Sequence, residues 1–269
     1  MKPEEDYIYQ LRPDIYQVFL SHITQQDSSV AYFKEAIPKI MSHLMGKLRT
    51  EGWNLLDIGC GVGKELIPII KFLRTFGKVN VYALEPAKKL IDEFKKEAES
   101  LGLKDITFIN LPWEEYSPDT KFDLIICSHI LYHVKEWEPY IQKIIDSLTD
   151  EGRAAISLHT RNNLVHQVPV RFLQKIGSTA RRHVHHFQEL TDLLDKLKIS
   201  YEVGKAKDTI DITDCKRMNE NGQKLVEFFL YYPYEKVPQE IKDEIREYFL
   251  SFKEDVVEKE VGFAWASKH

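Results

Sequence analysis

The feature that most constrains the fold of this chain is a glycine-rich loop between a short apolar strand and a helix. The strand is predicted over residues 54–58, the loop reads Asp57-Ile58-Gly59-Cys60-Gly61-Val62-Gly63, and the helix is predicted over about residues 64–76. Glycines let such a loop turn tightly and approach a ligand, while the helix N-terminus offers free N–H groups to an anion. The order of strand, loop and helix predicts a cofactor site.

Strand and helix patterns alternate after this loop. Further strands are predicted over residues 79–84, 106–110, 122–127 and 154–158, with helices over 87–101 and 136–148. Asp150-Glu151-Gly152 is typical of a turn before the fifth of these strands. Such alternation predicts a parallel sheet with helices on both faces. Beyond residue 159 the alternation weakens, and we expect helices near 187–197, 222–229 and 238–252, a strand near 201–204 and a closing strand over 261–265.

No linker-like composition interrupts the 269 residues, which predicts one α/β domain in three parts. Residues 1–50 are predicted to form an N-terminal helical cap, 51–159 a cofactor-binding core, and 160–269 a substrate-side insertion with closing strands.

Composition excludes several classes of protein. The 37 basic and 42 acidic residues give a net charge of −5, which argues against a nucleic-acid partner. The three cysteines are widely separated, and no cluster of cysteines or acids accompanies His183 and His185-His186, so we expect no metal. The longest uncharged apolar stretch, residues 124–134, is too short for a membrane helix, and the N-terminus lacks an apolar signal core. We expect a cytoplasmic monomer without a membrane partner.

The spacing of the glycines and acids distinguishes between cofactors. In the dinucleotide fingerprint the last two glycines stand three positions apart, whereas Gly61 and Gly63 are two apart and Asp57 precedes the loop. The second strand ends in Glu85-Pro86, and a carboxylate there can bind both hydroxyls of a ribose. This spacing resembles the first two motifs of class I S-adenosylmethionine-dependent methyltransferases.

The resemblance covers about residues 54–158 and has consequences for fold and cofactor. It implies a Rossmann-like α/β fold with a seven-stranded, mostly parallel sheet, an antiparallel last strand, N-terminal helices and a substrate-binding insertion. It also implies S-adenosylmethionine (SAM) as the cofactor, with the glycines against its methionine part, Glu85 on the ribose and Trp113-Glu114 framing the adenine. The implied cofactor-binding residues are Asp57, Gly59, Gly61, Gly63, Glu85, Pro86, Trp113, Glu114 and Ser128.

The segment after the fourth strand bears on the acceptor. It reads Ser128-His129-Ile130-Leu131-Tyr132-His133 and lacks the Asp/Asn/Ser-Pro-Pro-aromatic motif of nucleic-acid amino-methyltransferases. It resembles the same segment of small-molecule methyltransferases. His129 lies at the carboxyl edge of the predicted sheet, where open α/β sheets bind ligands. We interpret it as a positioning partner for a ring nitrogen or, for an aliphatic amine, as a general base.

Matches along nearly the whole chain are similar to histamine N-methyltransferases. They are Phe19-Leu20-Ser21-His22-Ile23-Thr24, Leu131-Tyr132-His133-Val134-Lys135, Asp211-Ile212-Thr213-Asp214-Cys215 and Asn219-Glu220-Asn221-Gly222. This resemblance implies methyl transfer to a small-molecule nitrogen, an imidazole or an amine. It implies His129 and Tyr132 as catalytic residues. The implied substrate-binding residues are Tyr16, Phe19, Gln25, His129, Tyr132, His133 and Phe228.

Some positions depart from that family's pattern. The family's amine-binding acid is replaced by Gln25, its glutamine by His129, and its pocket asparagine falls within Glu258-Lys259-Glu260 in an open register. Its two pocket tryptophans fall near Leu164 and Val168. Because a protonated amine in a desolvated pocket needs an acid, we expect histamine not to be the best substrate unless Glu258 or Glu260 supplies the charge.

Two other functions stay open. One is methyl transfer to an oxygen or carbon of a secondary metabolite by an enzyme of the same fold. The other is a non-catalytic SAM-binding protein, because the loop and Glu85 by themselves indicate only cofactor binding.

Overall fold

A computed structural model describes residues 12–177 and 185–269, so His183 lies outside the described residues. The seven strands are β1 (Trp53–Ile58), β2 (Val79–Leu84), β3 (Ile106–Ile109), β4 (Phe122–Ser128), β5 (Leu148–His159), β6 (Ser200–Asp211) and β7 (Val256–Ser267). The α-helices are α1 (Pro13–Ser21), α2 (Gln25–Ile40), α3 (Met45–Thr50), α4 (Leu66–Leu73), α5 (Lys88–Ser100), α6 (Trp137–Asp146), α7 (Leu164–Phe172), α8 (Phe187–Leu197), α9 (Thr213–Arg217), α10 (Glu220–Leu230) and α11 (Gln239–Leu250).

The strands form one sheet in the order β3-β2-β1-β4-β5-β7-β6, six of them parallel and the last one antiparallel. β1 pairs with β2 on one side and with β4 on the other, and both pairings are parallel. The strand order therefore reverses between β1 and β4, which is the point at which open α/β sheets bind ligands beyond their carboxyl ends. The predicted Rossmann-like fold is confirmed.

Two compact units make up the chain. One comprises the described parts of Met1–Gln25, His159–Glu189 and Lys207–Val261, and the other comprises Gln26–Leu158, Leu190–Ala206 and Gly262–His269. In the first unit, α1, α7 and α9 pack against α10 around a buried apolar cluster. In the second unit, the central strands β1 and β4 are buried because their side chains are largely apolar on both faces, as parallel strands require. The prediction of a single domain in three parts stays a prediction.

One local prediction was wrong, and one helix was not predicted. The residues of the predicted turn at Asp150-Glu151-Gly152 lie inside β5, where Phe122 pairs with Leu148 but Leu124 pairs with Arg153, so a bulge absorbs the polar residues. Helix α7 was not predicted, because residues 160–186 around it are polar and basic as a whole. Its buried residues Leu164, Val165, Val168 and Phe172 nevertheless follow helical spacing.

Two kinds of feature, a membrane-spanning helix and a metal-binding cluster, were sought among the described residues and not found. Within residues 12–177 and 185–269, no helix is long and apolar enough to cross a bilayer. Across the same ranges, no three His, Cys, Asp or Glu side chains gather as metal ligands would.

Candidate active site

The glycine loop leaves β1 in a left-handed backbone conformation. Gly59 has a φ of 77° and Gly61 a φ of 54°, and the Gly59 N–H donates to the Leu84 carbonyl at 2.8 Å. A Cβ on Gly59 would lie 2.1 Å from the Ile130 side chain, whereas a Cβ on Gly61 would meet no protein atom within 4 Å. The loop is therefore packed tightly beside β4 and open at Gly61, as the approach of a ligand to the backbone requires.

Glu85 follows β2 and joins that strand to the loop. Its buried carboxylate accepts a hydrogen bond from the Gly61 N–H at 3.1 Å and one from the Ala87 N–H at 2.9 Å. Burial raises the pKa of Glu85, and these two hydrogen bonds oppose that rise. Asn110, a residue that the sequence analysis missed, donates to the carbonyls of Glu85 and Pro86 at 2.9 Å each. Its position directly after β3 is the signal that could have identified it.

Ser128, the last residue of β4, reaches a second carboxylate. Its hydroxyl donates to Glu65 Oε1 at 2.8 Å, and Glu65 is the N-cap residue of α4. Burial raises the pKa of Glu65 to about 7. Burial, together with repulsion from Glu65 and Glu85, raises the pKa of Asp57 well above its ordinary value. Glu65 was also missed, although it stands only two positions after Gly63.

His129 lies directly beyond β4 with a φ of 58°, which is uncommon for a residue other than glycine. Its N–H donates to the Ser157 carbonyl at 3.1 Å, and its Nδ1 lies 3.5 Å from the Tyr132 hydroxyl. The two rings are nearly parallel, at 13°. Tyr132 is buried, whereas His133 is exposed. Strained backbone of this kind is concentrated at functional sites.

Trp113 is buried and its indole packs inside the second unit. The indole N–H donates to the Tyr140 carbonyl at 3.4 Å, and Lys143 Nζ lies 4.8 Å from the ring centroid. Glu114 is exposed. The role of this pair in framing adenine stays a prediction.

The predicted aromatic substrate residues lie together in the first unit. The rings of Phe19 and Phe228 stack with centroids 3.8 Å apart. The ring centroids of Tyr16 and Phe228 are 6.3 Å apart. Leu164 and Val168 are buried in the same apolar cluster. Gln25 is the first residue of α2. Their contacts with a substrate stay predictions.

Lys259 is the inward-facing residue of the Glu258-Lys259-Glu260 segment. Its side chain is fully buried, pairs with Asp208 at 2.9 Å and places Nζ 5.7 Å from the centroid of the Phe19 ring. Glu258, by contrast, is 63% exposed and pairs with Lys207. The group beside Phe19 is therefore a paired cation, which the sequence analysis could not establish because the strand register was open.

Comparison with known proteins identifies the family. Residues 49–248 match the methyltransferase domain family. The chain belongs to that family. This methyltransferase is 25% identical over 224 residues to carnosine N-methyltransferase 2 of Gallus gallus, covering 78% of this chain and 67% of the relative. It is 20% identical over 240 residues to histamine N-methyltransferase of Danio rerio, covering 83% and 80%.

An O-methyltransferase is also similar to this methyltransferase. The ubiquinone biosynthesis O-methyltransferase of Rickettsia felis is 23% identical over 153 residues, covering 57% of this chain and 59% of the relative. Among solved structures, the plantazolicin methyltransferase BamL, in complex with a triazolic desmethylPZN analog and S-adenosylhomocysteine (SAH), matches with a TM-score of 0.58 at 15% identity. That match covers 98% of this chain and 94% of BamL. The predicted class I SAM-dependent methyltransferase is confirmed, and with it SAM as the cofactor.

Proposed function

We propose that this methyltransferase transfers the methyl group of SAM to a ring nitrogen of a small imidazole-type acceptor. The observation that carries this proposal is the similarity to two N-methyltransferases, over 78% and 83% of the chain. Carnosine and histamine, the molecules in the names of those relatives, both contain an imidazole ring. The resemblance of the chain's Phe19–Thr24 segment to the latter enzyme supports the same acceptor class.

The cofactor-binding part of the proposal uses the edge where the strand order reverses. Gly61 leaves its backbone open to a ligand, and Glu85 presents a carboxylate at the end of β2. We propose that the glycine loop binds the methionine part of SAM and that Glu85 binds the ribose. SAM supplies an electrophilic methyl group when bound, and alignment and exclusion of water supply most of the catalysis of such a displacement.

The acceptor nitrogen must offer a free lone pair. A ring nitrogen of imidazole does so near pH 7, whereas an aliphatic amine must first lose a proton. We propose that His129, held in a left-handed conformation beside Tyr132, positions a ring nitrogen rather than removing a proton. Tyr132 supplies a rigid, buried wall beside it.

The charged side chains of the first unit favour an acceptor that brings no ammonium group to the neighbourhood of Phe19. Lys259 already places a cation beside this ring, and Asp208 neutralises it. By resemblance to histamine N-methyltransferases, Gln25 stands at the position of an amine-binding acid, and it adds no negative charge. A second cation entering this apolar cluster would lack a partner, which is costly in a desolvated site.

Matched acceptors test the proposal. Histamine and 4-ethylimidazole share a ring and differ by the ammonium group, so we expect a higher kcat/KM for 4-ethylimidazole in the wild type. The Gln25→Glu variant restores an acid and should improve histamine selectively. A wild type that prefers histamine, and is unaffected by this substitution, would contradict the assignment.

A second candidate function is methyl transfer to oxygen, which the similarity to the Rickettsia felis O-methyltransferase favours. That match covers only 57% of this chain, whereas the N-methyltransferases match 78% or more. A phenol panel assayed with labelled SAM distinguishes the two functions, because an O-methyltransferase would label a catechol-type acceptor and leave imidazoles unlabelled.

A further inference from the structure

Three carboxylates surround the glycine loop, each from a different element. Asp57 lies near the end of β1, Glu85 follows β2, and Glu65 is the residue before the first turn of α4. Asp57 and Glu85 are 5% and 7% exposed, and Glu65 is half-buried. Asp57 experiences the charges of both other carboxylates, since each raises its pKa. The cluster therefore concentrates negative charge at the point where the strand order of the sheet reverses.

Within residues 12–177 and 185–269, none of these three carboxylates forms an ion pair with a lysine, arginine or histidine, and the side-chain and backbone groups that contact Glu65 and Glu85 are uncharged. No lysine, arginine or histidine of residues 12–177 and 185–269 lowers the pKa of any of the three carboxyl groups. Their hydrogen-bond donors are neutral: the Ser128 hydroxyl for Glu65, and two backbone N–H groups for Glu85. Like charges in a desolvated site disfavour ionisation. A ligand that brings positive charge would relieve this repulsion.

We propose that Glu65 is a further cofactor-positioning residue, whose carboxylate, oriented by Ser128, pairs with a positive group of SAM. SAM has two such groups, the ammonium of its methionine part and the sulfonium. Glu85 accepts backbone N–H groups on both oxygens and is assigned to the ribose in the proposed function, whereas Glu65 is anchored through Oε1 by the Ser128 hydroxyl. This inference rests on the cofactor site of the proposed function.

Calorimetric titration of the full chain at pH 8 tests it directly. Glu65→Gln keeps an acceptor for Ser128 and should weaken SAM binding about ten- to hundredfold, the range for a hydrogen bond to a charged group. Glu99→Gln removes an equivalent charge from an exposed position on α5 and should bind SAM like the wild type. Unchanged affinity in Glu65→Gln would overturn the role of Glu65. A wild type that does not bind SAM would overturn the cofactor site itself.

SAH distinguishes the two positive groups, because it keeps the ammonium and lacks the sulfonium charge. An equal loss for SAM and SAH in Glu65→Gln assigns the ammonium as the partner. A loss for SAM alone assigns the sulfonium. A loss for SAH alone would overturn the proposal, since SAH has no positive group that SAM lacks.

Proton release gives a second readout. Burial raises the pKa of Glu65 to about 7, so this group is largely protonated at pH 6 and ionised at pH 8. Pairing with a cation would lower that pKa, release a proton at pH 6 and make the affinity rise toward pH 8. The neighbouring titratable groups are Asp57, Glu85 and the buried thiols of Cys60 and Cys127. Titrations in two buffers of different ionisation enthalpy measure the released proton, and equal release in Glu65→Gln would overturn the assignment.

Discussion

At the scale of single residues, the candidate site depends on Glu85. One carboxylate oxygen accepts from the loop and the other from the residue before α5, so the group is rigid before any ligand arrives. Binding a ribose to a rigid acceptor costs little side-chain entropy. Its neighbours Gly59 and Gly61 differ in how they serve the loop: the first is packed against Ile130, and the second is open.

Replacing Glu85 by glutamine should weaken SAM binding by about 1.5–3 kcal/mol, because hydrogen bonds to a charged acceptor are lost. Isothermal titration measures this. Glu93→Gln, on the exposed surface of α5, is the control for the loss of one negative charge. Equal affinities in the two variants would show that Glu85 is not a ligand of the cofactor.

A pair of glycine variants separates stability from binding. Gly61 and Gly102 both have positive φ and open surroundings, so Gly61→Ala and Gly102→Ala should each cost about 1–2 kcal/mol of folding stability. Only the methyl group at position 61 should obstruct the cofactor, by about 1–3 kcal/mol. Urea unfolding and SAM titration provide the two measurements. A Gly61→Ala variant that binds SAM like Gly102→Ala would contradict the open-loop interpretation.

At the scale of elements, β6 and β7 are linked by the buried pair of Asp208 and Lys259. Burial lowers the pKa of Lys259 and raises that of Asp208, while each partner opposes the shift in the other. Thr24 adds a hydrogen bond to Asp208 at 3.2 Å. A pair of this kind stabilises a fold only while both members are present.

A double-mutant cycle measures this dependence. Lys259→Met and Asp208→Asn should each cost about 3–5 kcal/mol, because each leaves a buried charge without its partner. The double variant should recover most of that loss. Additive losses in chemical unfolding would mean that the two side chains do not stabilise each other.

Some elements could be predicted from the sequence and others could not. β1, the glycine loop and Glu85 were predicted because their geometry follows from local patterns of apolar residues and glycines. Helix α7 was not, because the polar and basic residues on both sides of it hid a short apolar segment with helical spacing. The inward direction of Lys259 depends on the register of β7, which pairing across the sheet determines and no local pattern reveals.

At the scale of the whole molecule, the two units hold different functional groups. The second unit holds the glycine loop, the three carboxylates and His129, and its cofactor chemistry agrees with the family to which the chain belongs. The first unit holds the Phe19–Phe228 stack and Lys259. Under the proposed function, this unit contacts the acceptor, and the buried pair of Lys259 and Asp208 is the charge that lies beside Phe19.

The central claim is methyl transfer from SAM to an imidazole nitrogen, and the position of the transferred methyl group tests it most directly. SAM labelled with ¹³C in its methyl group is incubated with the full chain and a mixture of imidazoles, primary amines and phenols, and the products are examined by NMR and mass spectrometry. The account predicts a labelled methyl group on an imidazole ring nitrogen. Label found only on oxygen or carbon, or no methylated product from a chain that binds SAM, would contradict it.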